Sequence, residues 1–205
     1  MGQDSPWLLL LLIGGTAYVA RLWWSDYRAA QTVSTPSPHA LPGATPASGR
    51  ALGVAAVGAL VLLAAETGGE YALGLVEEQS RITLLFGVVS LAAAFLEELI
   101  FRGYVVVADR GRVRLAASAI GASLVFALLH PFLWEWRDGA LHVQTGLKAW
   151  FSTVAIFAGS LWFYYVRFFR LNPTRSLLPC IVAHATKNLG VFAIKAAQGY
   201  VGGLF

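Results

Sequence analysis

Long apolar runs, each ended by charged or turn-forming residues, recur along most of the chain. Because a helix that crosses a bilayer needs about 20 mainly apolar residues, such runs are candidate spans. They predict helices over residues 7–24, 51–66, 82–108, 113–133, 147–167 and 177–198. The pattern therefore indicates an all-α fold, a polytopic membrane helix bundle of about six transmembrane helices. The run at 51–66 is the weakest, although it extends toward Tyr71 if Glu66 lies at the membrane interface.

A stretch that contains prolines, glycines and hydroxyl residues separates the first apolar run from the rest. The first run has no basic residues before it and no small-residue cleavage site after it, so we expect a retained span rather than a signal peptide. Residues 1–28 are thus predicted to form an N-terminal transmembrane helix and residues 51–205 a membrane-embedded core. Residues 29–50 cannot bury enough apolar surface to order themselves, which predicts a flexible linker.

Composition supports a membrane protein and excludes a nucleic-acid binder. The chain is 57% hydrophobic and only 13% charged, against about a quarter charged in soluble domains. Its net charge of +4 comes from arginines that cluster in alternate connections, which the positive-inside rule explains and which places both termini outside the cytoplasm. The partner predicted for these basic loops is the lipid bilayer. An excess of arginine over lysine is typical of GC-rich bacteria, so a bacterial cytoplasmic (inner) membrane is expected.

The segment FLEELIFRGY, residues 95–104, places ionisable groups inside the third run. A charge at the centre of a span costs about 2.5 to 3.5 kcal/mol, so such groups usually face a polar interior with a function. Glu98 and Arg102 are four residues apart on one helical face and are predicted to pair. Glu97 points elsewhere and needs a partner from another helix. The alternative is that both carboxylates only join helices by hydrogen bonds.

Two later runs add histidines. In the fourth run, Phe126 precedes His130 by one turn, and in the sixth His184 shares a face with Asn188. Each histidine has a structural alternative, a helix cap for the first and hydrogen-bonded helix packing for the second. Brought together with the carboxylates in one cavity, these groups would be the parts of a hydrolase that activates water. The lone Cys180 is either a small buried residue or a nucleophile activated by His184.

Taken together, the three segments resemble the CAAX-protease and bacteriocin-processing family of intramembrane endopeptidases, also called the CPBP or Abi family. The resemblance covers about residues 80–198 and includes the family's three signature motifs in order. The motifs EExxxR, FxxxH and HxxxN fall on Glu97, Glu98 and Arg102, on Phe126 and His130, and on His184 and Asn188.

The resemblance implies a glutamate-type protease without a cofactor. Glu97, helped by His130, would activate the water that attacks a peptide carbonyl, and His184 with Asn188 would stabilise the oxyanion. The supporting residues would be Glu98, Arg102 and Phe126. A second mechanism within the same family makes Glu97, His130 and His184 the ligands of a catalytic zinc ion with an open water position.

The resemblance also implies a membrane-anchored peptide or protein as substrate. A prenylated C-terminal tail, a bacteriocin and a bacterial sorting tail all remain open, as does the oligomeric state. Two other functions stay as alternatives: a non-catalytic immunity or binding protein, and a proton-coupled carrier that uses the acids and His130 as a relay. The carrier is disfavoured because the sequence has no internal repeat.

The predicted spans create one geometric conflict. At 1.5 Å per residue, Glu97, His130 and His184 lie at roughly 18, 25 and 12 Å from the arginine-rich face. Straight helices of equal tilt would not bring them together. The prediction of a shared site therefore requires tilt, a break at Gly103 or Pro131, or an interfacial segment at 104–112.

Overall fold

The computed structural model describes residues 5–32 and 37–204, and within these ranges the chain forms a bundle of α-helices. The helices run in alternating directions along the chain, joined by connections at the two ends of the bundle. They are α1 Pro6–Thr32, α2 Gly49–Ala72, α3 Leu84–Glu97, α4 Arg112–Leu128, α5 Leu147–Phe168 and α6 Leu178–Ala197. The predicted all-α bundle is confirmed.

Four of the described helices are long and apolar enough to cross a membrane. They are Pro6–Thr32, Gly49–Ala72, Leu84–Val105 and Leu147–Phe168. Of the other two predicted spans, α4 has only 17 residues, and α6 has histidine, asparagine and two lysines within its apolar sequence. Large apolar side chains such as Trp7, Leu11 and Val57 are exposed on the outside of the bundle. In a bilayer these faces meet lipid, so the chain is an integral membrane protein.

Helix α3 does not end at Glu97 but continues as a π-helix over Glu98–Val105, here called the π segment. Short π-helices occur frequently at functional sites. The segment contains Glu98, Arg102 and Gly103. The irregularity considered at Gly103 is therefore present, as a change of helix type rather than a break.

Helix α4 ends at Leu128, five residues before the predicted end of the fourth span. The cause is Pro131, because the residue before a proline is pushed out of the helical region. His130 accordingly has an extended backbone, with φ −68° and ψ 131°. Two short strands follow, β1 Trp134–Arg137 and β2 Ala140–Val143, paired antiparallel. Asp138 and Gly139 both have positive φ and form the tight hairpin turn that an Asp-Gly pair favours.

The structure describes most of the segment predicted as a linker, residues 29–50. Helix α1 continues to Thr32, and residues 37–48 form a loop packed on the bundle, whereas residues 33–36 lie outside the described ranges. The Trp23 indole donates to the Pro42 carbonyl at 3.1 Å, and the Leu177 amide donates to the Gly43 carbonyl at 2.9 Å. Contacts to distant helices, which composition cannot reveal, supply the burial that this segment lacks alone.

Helix α2 is also longer than predicted and reaches Ala72. The prediction allowed this extension if Glu66 lay at the membrane interface. The Glu66 side chain is largely buried, and its Oε2 lies 2.9 Å from the Lys187 Nζ on α6. An ion pair within the bundle therefore stabilises this carboxylate.

Small residues let α2 approach its neighbours closely. Ala51, Ala55 and Ala59 are fully buried on one face of α2. The Trp162 ring of α5 lies directly on Gly58, and its indole nitrogen donates to the Ala55 carbonyl at 3.1 Å. Without a strong hydrophobic drive between helices in lipid, such close packing is a main source of association.

We expect Gly58→Ala to destabilise the protein by about 1 to 3 kcal/mol, because the added methyl group would overlap the Trp162 ring. Thermal unfolding in detergent measures the effect. Gly53→Ala is the matched control on the same helix, since a methyl group there meets nothing within 4 Å. Equal melting temperatures for the two variants would contradict the proposed close packing.

Candidate functional site

A buried ion pair lies at the centre of the bundle. Arg102 and Glu98 are both fully buried, and Arg102 Nη1 lies 3.1 Å from Glu98 Oε1. The other terminal nitrogen of Arg102 donates to the Ser160 carbonyl at 3.2 Å and to the Ser160 hydroxyl. Ser160 in turn donates to the Ser123 hydroxyl on α4 at 2.9 Å. The predicted pairing within one helix is present, and it also joins α4 and α5.

Aromatic rings surround the Arg102 guanidinium. Its central carbon lies 4.7 Å from the Phe126 ring centroid, 4.8 Å from that of Tyr164 and 5.3 Å from that of Phe163. Ring faces attract a cation, and the attraction strengthens away from water. The rings therefore add to the stabilisation of a charge that the bilayer would otherwise exclude.

His184 of α6 connects the two glutamates. Its Nδ1 lies 2.8 Å from Glu98 Oε1, and its Nε2 lies 3.6 Å from Glu97 Oε2. The imidazole also stacks on the Phe163 ring, at 4.7 Å between centroids and 22° between planes. Because an ionised carboxylate only accepts hydrogen bonds, Glu98 assigns a proton to Nδ1 and directs Nε2 toward Glu97.

The adjacent glutamates have different surroundings. Glu98 is fully buried and engaged by Arg102 and His184. The Glu97 side chain is 35% exposed. Successive helical residues are rotated by about 100°, so the two carboxylates leave the helix in different directions. The partner that Glu97 needed from another helix is His184.

His130 lies beside this cluster. Its Nδ1 is 2.8 Å from the Phe126 carbonyl, which can only accept, so the Nδ1 proton is donated there and Nε2 keeps its lone pair. The His130 ring lies 4.9 Å from the Phe126 ring, which is itself 6.1 Å from the His184 ring. His130 therefore both caps the end of α4 and lies next to the cluster.

Asn188 and Cys180 make their hydrogen bonds to helix backbone rather than to the two glutamates. The Asn188 side-chain nitrogen donates to the Ser90 carbonyl of α3 at 3.0 Å, about two helical turns before Glu97. Cys180 is fully buried with its Sγ 3.2 Å from the Phe163 carbonyl. Asn188 thus contacts helix backbone, and Cys180 occupies the small buried position that was one of its two interpretations.

The conflict in depth between Glu97 and His130 disappears because α4 is displaced along the bundle axis. The Val107 amide, just past the π segment, donates to the Ser118 hydroxyl in the middle of α4 at 3.2 Å. The first turns of α4 therefore lie beyond the end of the π segment. Counted from that contact, Phe126 lies about 12 Å along α4, and Glu97 lies at a similar depth.

Several residues of this cluster were not predicted from sequence. Ser123 and Ser160 lie in apolar runs. Ser160 accepts from the arginine and donates to Ser123, and Lys187 pairs with Glu66. In the sequence, each of these residues is recognisable only as a polar residue inside a predicted span. That signal is weak for serine, because its hydroxyl can bond to the preceding turn of its own helix.

Only two of the three ligands of the alternative zinc site face each other. Glu97 and His184 face each other, but within residues 5–32 and 37–204 no three His, Cys, Asp or Glu side chains are grouped as a metal ion would require. A catalytic zinc ion usually has three protein ligands. The described side chains therefore do not form the three-ligand arrangement of that alternative.

Comparison with protein families identifies the chain. The model for type II CAAX prenyl endopeptidases, Rce1-like, matches residues 79–190, more than half of the sequence. The chain belongs to this Rce1-like family. It is therefore a membrane-embedded endopeptidase, and its family implies a membrane-anchored protein substrate in the bilayer. The matched range includes the ion pair, both histidines and Asn188. Neither the comparison with curated proteins nor that with solved structures gave a match.

We expect Arg102→Met to destabilise the protein by about 3 to 5 kcal/mol, because it would leave Glu98 buried without a counter-charge. Thermal unfolding in detergent, together with yield after extraction, measures the change. Glu98→Gln combined with Arg102→Met should regain much of the loss.

Arg175→Met is the control for this prediction. It breaks an arginine–carboxylate pair of similar length, 3.0 Å to Asp109, that is exposed to solvent. Exposed pairs contribute little to stability. An Arg102 variant as stable as the Arg175 variant would refute the structural importance of the buried pair.

Proposed function

We propose that this chain is a glutamate-type intramembrane endopeptidase in which Glu97 activates the attacking water. One observation supports this most strongly: Glu98 is buried and engaged by two partners, while the adjacent Glu97 is partly exposed and faces His184 across 3.6 Å. A general base must reach both a water molecule and the scissile carbonyl. Of the two carboxylates, Glu97 is the one with that access.

In the proposed reaction, Glu97 accepts a proton from water while the water oxygen bonds to the peptide carbonyl carbon. The negative charge that develops on the carbonyl oxygen is stabilised by the imidazolium form of His184, which donates from Nδ1 to Glu98 and from Nε2 to that oxygen. The carbon–nitrogen bond then breaks, and the proton held by Glu97 passes to the leaving nitrogen. The products are a carboxylic acid and an amine, with the side chains returned to their starting states.

The remaining residues divide into groups that meet the reactants and groups that position them. We assign His130, whose ring lies beside that of Phe126 and whose Nε2 can accept a proton, the duty of assisting Glu97. Glu98 orients the His184 ring through its contact with Nδ1. We assign Asn188 a positioning duty as well, because its amide donates to α3 rather than facing the glutamates.

The proposal includes no metal or other cofactor. Its substrate is a membrane-anchored protein cut near its C-terminal tail, and its location is the cytoplasmic membrane of a bacterium. The family match supports the general class of substrate. Composition, with twelve arginines against three lysines, supports the bacterial assignment.

The test is cleavage of two peptides by purified protein in detergent, one farnesylated with a CAAX ending and one an unmodified apolar tail. We expect Glu97→Gln to lower kcat by at least about a hundredfold, the scale of general-base catalysis. His184→Ala should cost about a hundredfold or more through the lost oxyanion contact. Glu77→Gln, which removes an exposed carboxylate, should leave cleavage unchanged.

The same assay distinguishes the mechanisms. Cleavage that survives a zinc chelator but not Glu97→Gln supports the glutamate base. Loss with the chelator and recovery with added zinc would replace the proposal by the metal alternative. A well-folded Glu97→Gln variant with wild-type turnover would refute both. The peptide that is cut identifies whether the prenyl group is required.

A further inference from the structure

A cavity of about 440 Å³ lies between α2, α5 and α6, at the end of the bundle away from the arginine-rich connections. It follows the same face of α6 as His184, because Val191 and Lys195, seven and eleven residues later, both line it. Phe132 lines it too, and the Phe132 ring lies 5.9 Å from the His130 ring. The cavity therefore lies beyond the proposed site toward that end of the bundle, along the same face of α6.

The carboxylates that α2 contributes to the cavity are already neutralised. Glu66 pairs with Lys187 at 2.9 Å. Glu70 pairs with Lys148 and accepts a hydrogen bond from the Gln79 amide at 2.6 Å. The cavity therefore presents pre-formed ion pairs along α2, not an acidic surface that would attract a cation. Glu78, at the rim, is exposed to solvent.

Lys195 differs from these pairs. Its side chain is largely buried, with 9% of the residue exposed. Its ammonium donates to the Ser80 carbonyl at 2.7 Å and approaches the Ser80 hydroxyl at 3.4 Å, and both acceptors are neutral. No carboxylate of the described residues forms an ion pair with it. Glu70 lies near enough to attract Lys195 electrostatically, but its charge is already balanced by Lys148. A buried cation without an ion-pair partner of its own is costly, and an anion that enters the cavity would relieve that cost.

We propose that Lys195 binds the free C-terminal carboxylate of the peptide that is cut at Glu97. This inference rests on the proposed function, and it assigns the cavity to the substrate residues that follow the scissile bond. Eleven residues of α6 separate His184 from Lys195, about 16 Å. An extended peptide covers that distance with about five residues. Lys195 would thus select tails that end about five residues after the cut.

Three residues behind this proposal lie beyond the part of the chain that the family model matches. Lys195, Glu66 and Glu70 all lie outside residues 79–190, the range that the family model matches. The carboxylate site therefore follows from the geometry of this cavity and not from the family assignment.

Binding to the Glu97→Gln protein tests the proposal without turnover. The probes are two fluorescein-labelled pentapeptides of alanine and valine, identical except that one ends in a free carboxylate and the other in a carboxamide. Fluorescence anisotropy gives the Kd of each. We expect the acid to bind at least about tenfold more tightly than the amide, as a hydrogen bond to a charged group would provide.

Variants at two neighbouring cations make the test specific. In the same background, Lys195→Met should remove the preference for the acid, and Lys195→Arg should retain it and control for folding. Arg81→Met removes an exposed cation next to Ser80 and should leave the preference unchanged.

Equal affinities for acid and amide, or a preference that survives Lys195→Met, would overturn the carboxylate site. Because no turnover is needed, this failure is distinct from failure of the proposed function. The latter would appear as wild-type cleavage that does not depend on Glu97.

Discussion

The site depends on one interaction, the fully buried contact between Glu98 and Arg102. Each partner has a second duty outside its own helix: Arg102 reaches Ser160 on α5, and Glu98 reaches His184 on α6. A lone charge of either sign would be excluded from this environment, but the pair, enclosed by aromatic rings and hydroxyl groups, is not. The ion pair therefore determines which helices can meet at this depth and how the His184 ring is oriented.

Departures from regular helix position the remaining groups. The π segment begins at Glu98, directly after the partly exposed Glu97, and Pro131 ends the helical geometry before His130. A regular fourth span would have carried His130 further along the bundle. The early end of α4, together with its displaced start, leaves the histidine beside Phe126 and opens the adjacent end of the bundle to the hairpin and the cavity.

Charged groups of this bundle form two sets, one near His184 and one near Lys195, on the same face of α6. In the first set, at the proposed site, Glu98 is neutralised and Glu97 remains accessible. In the second, lining the cavity, the α2 carboxylates are neutralised and Lys195 keeps its charge unpaired among the described residues. Each set thus combines ion pairs that stabilise the fold with one charged group left available to a substrate. That group is the base Glu97 in the first set and the cation Lys195 in the second. A peptide extended along this face of α6 would meet both Glu97 and Lys195.

The sequence by itself determined the helical class, the number of apolar runs and the pairing of Glu98 with Arg102, because these follow from local composition and from helical spacing of three or four residues. It also indicated that Glu97, His130 and His184 belong together, through the order of three short motifs. The order of loop 37–48, the ion pair of Glu66 and the contact of Asn188 with α3 depended on residues far away in the chain, and no local pattern reports them. Nor could depth along the bundle be counted from span ends, since the displacement of α4 is set by contacts between helices. Periodicity defines the face on which a side chain lies, whereas only packing decides what that face meets.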